Sequence, residues 1–242
     1  MHCVITAGGR VDAKFAAEIG TEVKALANIG GRSLLERAVV AAREAGAQTV
    51  SVVGGREVRD AAANFADRVI AEAPTGRENV HLALAAFPGR PLLYLTSDLP
   101  FVTGTQLREF LSRLSPGSLG MPLAAADAYE RRFAGAPEHA TVIGGERIAN
   151  GSAFFIPAGC AERIDTLAQR VFEARKNLLR MAVMLGPSLL LKFATKRLRI
   201  ADVERKAADL LGFPVVAVRD CAPELCFDID TLEDYRYAKT RA

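Results

Sequence analysis

Cysteine is scarce in this 242-residue chain, and its four cysteines are spread from one end to the other: Cys3, Cys160, Cys221 and Cys226. The four positions are too scattered for a disulfide framework or a cysteine-based zinc site, although Cys221 and Cys226 could meet across a turn. The pattern favours buried, reduced thiols, which are typical of a cytoplasmic protein.

Long apolar runs are also missing. The longest candidate, residues 181–191, is interrupted by Gly186 and Pro187. Because about 20 consecutive apolar residues are needed to cross a bilayer, no membrane span is predicted. The N-terminus enters a strand pattern at once, without the basic and apolar regions of a signal peptide. We therefore expect a cytoplasmic location.

Half of the residues are apolar, which is enough for a sizeable core, and 24% are charged. These proportions predict one ordered domain over residues 1–242. The net charge of +3 is unevenly placed. Residues 161–206 carry eleven Lys or Arg and five Asp or Glu, a net of +6, which leaves −3 for the remainder. Such asymmetry indicates a local anionic partner.

The stretch at 90–101 combines a short apolar run with polar residues directly after it. The short apolar run at residues 91–95 predicts a buried strand, and polar residues follow it, including Asp98. In an open α/β sheet, ligands bind beyond the carboxyl ends of the strands, which would place Asp98 at a cation site. The alternative is that Asp98 caps the next helix or forms a turn before Pro100. The stretch alone leaves both open.

Strands and helices alternate through the first hundred residues. Strands are predicted at 2–6, 49–53, 68–71 and 91–95, and helices ending at Ala45, near Ala66 and before Pro88. This alternation predicts an α/β fold with a mostly parallel sheet between two helix layers.

The later part of the chain is predicted as a less regular series. The expectations are a helix at 103–114, a strand at 117–122, an irregular segment at 124–140, strands at 141–143, 148–156, 213–218 and 225–229, and a terminal helix capped by Thr231. Residues 160–211 are predicted as a helical insertion in the single domain, with breaks near Gly186 and at 200–202.

A glycine loop follows the first strand, at Ala7-Gly8-Gly9-Arg10. Glycines let the backbone approach a ligand closely and point N–H groups at phosphate. The loop is neither a P-loop, because no GK[ST] follows, nor GxGxxG. A plain tight turn would have the same sequence.

Taken together, these features resemble the MobA-like nucleotidyltransferases, whose members include molybdenum-cofactor guanylyl- and cytidylyltransferases. The similar motifs cover roughly the first 156 and the last 30 residues: AGG at 7–9, Lys24 followed by Gly30-Gly31, TSDLPF at 96–101, NGS at 150–152 and FDIDTLEDY at 227–235. The resemblance implies the Rossmann-like fold of the nucleotide-diphospho-sugar transferases. It also implies Mg²⁺-dependent transfer of a nucleotidyl group from an NTP to a phosphorylated small molecule, with release of pyrophosphate.

The resemblance also implies roles for individual residues. Lys24 and Asp98 would be catalytic, and Asp98 would bind Mg²⁺ with Asp230 or Asp228, which point the same way if the backbone is extended. Those implied to bind the nucleotide are Ala7, Gly8, Gly9, Arg10, Lys24, Gly76 and Asn79.

The acceptor is assigned to Asn150, Arg175 and Lys176. Basic residues at the beginning of a helix oppose its dipole, and a broken local rule often marks a functional position. We expect them to bind the acceptor phosphate, whose ionised oxygen needs no general base. Alternatively, Arg175 and Lys176 are solvated beside core or homodimer helices, Asn150 is a turn residue, or the segment touches a membrane surface or lipid-linked acceptor.

Two further functions stay open at this point. A glycosyltransferase of the related fold would normally carry D-x-D where this chain has Ser97-Asp98-Leu99, and would leave Lys24 without a role. A nucleotide-binding regulator without turnover would explain the glycine loop, which departs from the G-x-G-x-R of the family. The expected partners are an NTP and the acceptor, not nucleic acid, and the protein is expected to be a monomer or homodimer.

Overall fold

The computed structural model describes residues 1–137, 139–174 and 183–241. Its strands are β1 (His2–Thr6), β2 (Asn28–Ile29), β3 (Arg32–Ser33), β4 (Thr49–Gly54), β5 (Arg68–Ala71), β6 (Leu92–Thr96), β7 (Leu119–Ala125), β8 (Ala140–Ile143), β9 (Glu146–Asn150), β10 (Ala153–Ile156) and β11 (Val215–Val218). Its α-helices are α1 (Ala13–Ile19), α2 (Leu34–Glu44), α3 (Arg56–Ala62), α4 (Gly76–Leu84), α5 (Gly104–Ser112), α6 (Ala126–Arg132), α7 (Ala161–Ala174), α8 (Pro187–Ala194), α9 (Ile200–Leu211) and α10 (Leu232–Lys239).

Nine of the described strands form one mixed sheet, in the order β5-β4-β1-β6-β10-β7-β9-β8 with β11 beside β7. The four strands from β5 to β6 are parallel to one another, and β10 runs antiparallel to both β6 and β7. The predicted α/β fold with a mostly parallel sheet is therefore confirmed. The parallel block brings the carboxyl ends of β1, β4, β5 and β6 to one edge.

Helices cover both faces of this sheet. Ile5 of β1 belongs to a core cluster formed with α2 and α5, whereas its neighbour Val4 packs in a second cluster with α4 and α7. This alternation follows from the strand period of two, which sends successive side chains to opposite faces. The result is the predicted three-layer arrangement.

Several element boundaries are set by local capping signals that the sequence shows. The Ser33 side chain accepts a hydrogen bond from Glu36 N, and Thr75 and Thr103 begin α4 and α5 with complete capping boxes. Gly46, with φ of +94°, follows α2 as predicted. The next helix, α3, ends at Ala62, about four residues before the predicted end.

Three predictions for the later chain were wrong. Residues 126–132 of the supposed irregular segment form α6. The strand expected at 148–156 is two strands, β9 and β10, which both run antiparallel to β7. They are separated by a bend at Ser152, whose N–H bonds to Leu225 O instead of continuing the pairing with β7. Residues 225–229 belong to no strand: Leu225 ends a 3₁₀ turn at Pro223–Leu225, and the residues after it have no regular secondary structure.

The predicted helical region is confirmed where it is described, as α7, α8 and α9, although the second break lies at 195–199, just before α9. That this region is an insertion in a single domain stays a prediction. None of the helices in the described ranges is long and apolar enough to cross a membrane.

Candidate active site

The glycine loop leaves the carboxyl end of β1 beside the ends of β4 and β5. The backbone of Gly8 runs close to two polar side chains: a Cβ at this position would lie 2.4 Å from Glu72 Oε2 and 3.1 Å from Asn79 Nδ2, and the ends of both side chains would have to move aside. Ala7 precedes Gly8, fully buried, with its N–H bonded to Val53 O at 2.8 Å.

Backbone hydrogen bonds join this loop to the segment that carries Lys24. Lys24 N donates to Gly9 O at 3.0 Å and Val11 N donates to Glu22 O at 3.0 Å, on either side of an isolated bridge between Arg10 and Val23. Lys24 therefore lies directly beside Gly9. This pairing explains structurally why a lysine fifteen residues from Gly9 can serve the same site.

The Lys24 ammonium group is surrounded by oxygen atoms. Its Nζ lies 2.5 Å from Asp98 Oδ2, 2.7 Å from Ile229 O and 3.4 Å from Asp230 Oδ1. Burial by itself lowers the pKa of Lys24. Attraction to Asp98 and the hydrogen bond with it, with smaller contributions from Asp230 and Asp228, outweigh burial and raise the pKa above its usual value. Lys24 is thus a fixed, charged group rather than a solvated surface lysine.

Asp98 follows β6 at the same edge of the sheet. Its backbone O accepts from Ile229 N at 3.0 Å, and its side chain is 13% exposed. While Oδ2 contacts Lys24, Oδ1 is buried and receives no hydrogen bond from any residue that the structure describes. A buried carboxylate oxygen without a donor is costly and calls for a cation or donor at that position.

Asp228 and Asp230 approach the same point from the segment after the 3₁₀ turn. The Asp230 side chain is two-thirds exposed and contacts Lys24, whereas Asp228 is largely buried and accepts from Ser152 Oγ at 3.1 Å. Burial raises the pKa of Asp228 most, followed by repulsion from Asp98 and Asp230. The three carboxylates thus share one region of negative charge, with Lys24 among them.

Whether these residues fit a metal ion depends on how many protein ligands it needs. Among the residues described, no group of three or more His, Cys, Asp and Glu side chains is placed to hold a metal ion. Mg²⁺ typically needs one or two carboxylates, with water and substrate phosphates completing its shell. The unpartnered Asp98 oxygen near Asp230 fits that smaller requirement.

A cavity of about 770 Å³ opens beside Lys24 and Asp98 and is within the size range of small-molecule sites, whereas Asp228 and Asp230 do not line it. It brings together most of the residues predicted to bind the nucleotide, which are Gly8, Gly9, Arg10, Lys24, Gly76 and Asn79, and Asp98 lines it as well. Asn150, exposed at the end of β9, does not line it. Arg175 and Lys176 lie outside the described residues.

Glu72, which the sequence reasoning missed, lies inside this cavity. It follows β5, and its Oε1 accepts from Arg10 Nη2 at 2.6 Å, while Arg10 Nη1 donates to Gly8 O at 3.1 Å. Arg10 is therefore engaged by Glu72 rather than free. The rule that identified Asp98, a carboxylate directly after a parallel strand, would also have identified Glu72.

His139 and Asp234 were also missed as site residues. His139 Nε2 donates to Asp234 Oδ1 at 3.0 Å, and its Nδ1 lies 3.7 Å from Asp228 Oδ1. The hydrogen bond to Asp234 raises the pKa of His139 most, against an opposing effect of burial. No local sequence signal joins residues 95 positions apart, although the Asp234 capping box with Thr231 is readable.

Comparison with known families identifies the chain. The family model for the MobA-like NTP transferase domain matches residues 3–226. The chain belongs to this family. It is therefore a nucleotidyltransferase, as the resemblance implied, and the matched range contains the glycine loop, Lys24 and Asp98, but ends just before Asp228 and Asp230.

Solved structures agree on the fold. A hypothetical transferase from Thermus thermophilus is 26% identical, with a TM-score of 0.83, covering 97% of this chain and 100% of that one. A nucleotidyl transferase from Methanothermobacter is 19% identical, with a TM-score of 0.59, covering 99% and 96%. A 2-C-methyl-D-erythritol 4-phosphate cytidylyltransferase from Thermus thermophilus is 18% identical, with a TM-score of 0.56, covering 99% and 97%. No curated protein sequence matched.

Proposed function

We propose that the protein transfers the nucleotidyl group of an NTP to a phosphorylated small molecule, with Mg²⁺, and releases pyrophosphate. The observation that carries this proposal is the position of Lys24. Its charged Nζ lies at the cavity edge, 2.5 Å from Asp98, while its backbone is paired with the glycine loop. A lysine and backbone N–H groups converging on one cavity are what a triphosphate requires.

In the proposed reaction, an ionised oxygen of the acceptor phosphate attacks the α-phosphorus of the NTP. The new P–O bond forms as the bond between the α-phosphorus and the bridging oxygen breaks, and pyrophosphate leaves with that electron pair. The N–H groups of Gly8 and Gly9 would hold the triphosphate, and Lys24 would stabilise the charge that builds up on its oxygens. No proton has to be removed from the nucleophile, so no general base is required.

Asp98 and Asp230, with Asp228 as the alternative partner, would hold Mg²⁺. Bound there, the ion would neutralise negative charge on the phosphate oxygens. The support for this assignment is the unpartnered, buried Oδ1 of Asp98 and the repulsion among the three carboxylates, which a cation would relieve. With a cation at Asp98, the charge of Lys24 would be available to the triphosphate oxygens.

The acceptor assignment rests on the sequence. Arg175 and Lys176 would bind the acceptor phosphate through their charges, within the segment that carries a net +6. Asn150, at the end of β9, would contact the acceptor from the sheet. These three residues stay predictions.

The test is a pyrophosphate-release assay with the full chain, Mg²⁺, each of the four NTPs and a set of phosphorylated acceptors. A thermal-shift screen of the NTPs with and without Mg²⁺ should come first, because a bound ligand raises apparent stability. We expect one NTP to stabilise the protein and release pyrophosphate only when an acceptor is present. Release of a nucleoside diphosphate from a nucleotide sugar would instead favour a glycosyltransferase. NTP binding without any turnover would favour a nucleotide-binding regulator.

A further inference from the structure

The segment 228–231 carries two of the candidate metal ligands and the carbonyl that holds Lys24, but it is not part of the sheet. Its hydrogen bonds in the described structure include Ile229 N to Asp98 O, Lys24 Nζ to Ile229 O, and Ser152 Oγ to Asp228. Lys24 also contacts Asp230, the backbone at 230 and 231 bonds to Asp234, and the Ile229 side chain is fully buried. Strand pairing would fix such a segment through a regular ladder of hydrogen bonds. Here its position depends on individual side chains.

Asp234 is the main one of these side chains. It is 1% exposed, and its Oδ2 accepts from Asp230 N at 3.1 Å, Thr231 N at 2.7 Å and Thr231 Oγ1 at 2.8 Å. A single carboxylate oxygen therefore sets the backbone at residues 230 and 231. Whatever orients Asp234 also orients this segment.

His139 orients Asp234 from a different part of the chain. Its Nε2 donates to the other oxygen, Oδ1, at 3.0 Å, and its Nδ1 faces Asp228 Oδ1 at 3.7 Å. Its ring packs against Phe227, with centroids 5.6 Å apart, and Tyr129, with centroids 5.9 Å apart, which limits its movement. One imidazole thus contacts the carboxylate that sets the segment and a carboxylate on the segment.

We propose that His139 is a positioning residue that holds segment 228–231, and with it Asp228 and Asp230, in place for the reaction. His139 lies in the link between α6 and β8, and from there its ring contacts both Asp234 and Asp228. That His139 supports turnover rests on the proposed function, whereas its effect on the position of segment 228–231 does not. The role requires the hydrogen bond from the ring nitrogen Nε2 to Asp234, so the volume of the ring alone cannot supply it.

Two substitutions distinguish the hydrogen bonding of His139, which would hold segment 228–231, from the packing of its ring. His139→Phe keeps an aromatic ring between Tyr129 and Phe227 but removes both nitrogens. His139→Gln keeps a donor able to reach Asp234. His81→Phe is the matched control, because His81 also pairs with an aspartate, Asp165 at 2.6 Å, but lies on the exposed part of α4.

The primary measurement is hydrogen–deuterium exchange of the free protein, read on peptides that cover residues 228–231 and, for comparison, β6. In His139→Phe, the amides of Asp230 and Thr231 should exchange at least tenfold faster, with β6 unchanged. In His139→Gln, they should stay within about threefold of wild type, and in His81→Phe they should not change. Wild-type exchange in His139→Phe would overturn the proposal.

Turnover gives the second readout. His139→Phe should lower kcat at least tenfold with the KM for NTP within about threefold, because the glycine loop is untouched, and His139→Gln should recover most of kcat. Equal losses in both variants would overturn the proposal, as would failure of His139→Phe and the smaller His139→Leu to fold, since the role would then be stability. If wild type itself shows no turnover, the proposed function fails while the exchange result still decides the positioning role.

Discussion

The contact between Lys24 and Asp98 allows stability and activity to be separated in one experiment. Replacing Lys24 with methionine keeps an unbranched side chain only one atom shorter and removes its charge. Asp98 then has no partner on either oxygen, since Oδ1 already receives no hydrogen bond from the described residues. We expect Lys24→Met to lower both the free energy of unfolding and the rate of turnover, for different reasons.

The expected stability loss follows from the geometry. Opposite charges 2.5 Å apart attract by about 6–7 kcal/mol at an effective dielectric constant of about 20. Desolvation of both groups offsets much of this, and the side chains are still 16% and 13% exposed. Removing one partner of a buried pair typically costs about 3–5 kcal/mol, and we expect the lower end, about 3 kcal/mol. For a chain of this size, that lowers Tm by about 6–12 °C.

A second substitution tests the cause. Asp98→Asn in the Lys24→Met background removes the uncompensated charge, so at least half of the lost stability should return. Turnover should not return, because the positive charge for the triphosphate is still absent. In both the single and the double variant, kcat/KM should fall by at least ~100-fold, equivalent to about 2.7 kcal/mol of transition-state stabilisation.

The assays are thermal unfolding and pyrophosphate release, with Lys14→Met on the exposed face of α1 as the control for loss of a lysine. An activity loss below threefold in Lys24→Met would refute the role in catalysis. A stability loss that Asp98→Asn does not reduce would refute the view that Lys24 compensates Asp98 in the folded protein.

Three further predictions concern the carboxylates and the acceptor. Asp98→Asn should abolish pyrophosphate release at limiting Mg²⁺ while calorimetry shows an intact fold, and Asp230→Asn should resemble it more closely than Asp228→Asn does; normal turnover would show that Asp98 is not a ligand. Because burial, followed by repulsion from Asp98 and Asp230, raises the folded-state pKa of Asp228, the folded protein loses stability as pH rises above the ordinary carboxyl pKa. Asp228→Asn should therefore raise Tm at neutral pH, with the gain disappearing in acid. An equal gain at all pH values would point to a cause other than charge. Arg175→Ala/Lys176→Ala should raise the acceptor KM without changing NTP affinity by calorimetry; equal weakening of NTP binding would move these residues to the triphosphate site.

The sequence by itself determined the features that depend on neighbours along the chain. The limits of β1 and β5 match the prediction, and the capping threonines Thr75, Thr103 and Thr231 begin helices where expected. These signals are local, because a strand face or a helix cap is formed by residues within a few positions of one another. The carboxylate of Asp98 at the ligand edge followed from the same reasoning, once the parallel block was predicted.

The tertiary structure decided what depends on residues far apart. The strand pattern at 148–156 is interrupted at Ser152, because its N–H bonds to the distant Leu225 O. Residues 225–229 lie outside the sheet, although their apolar pattern resembles a strand. Lys24 meets Asp230 across 206 positions, a distance that no local propensity describes. Burial and pairing of charged groups are properties of the assembled edge of the sheet, so the sequence could suggest which residues serve the site, but only the fold could show which of them meet.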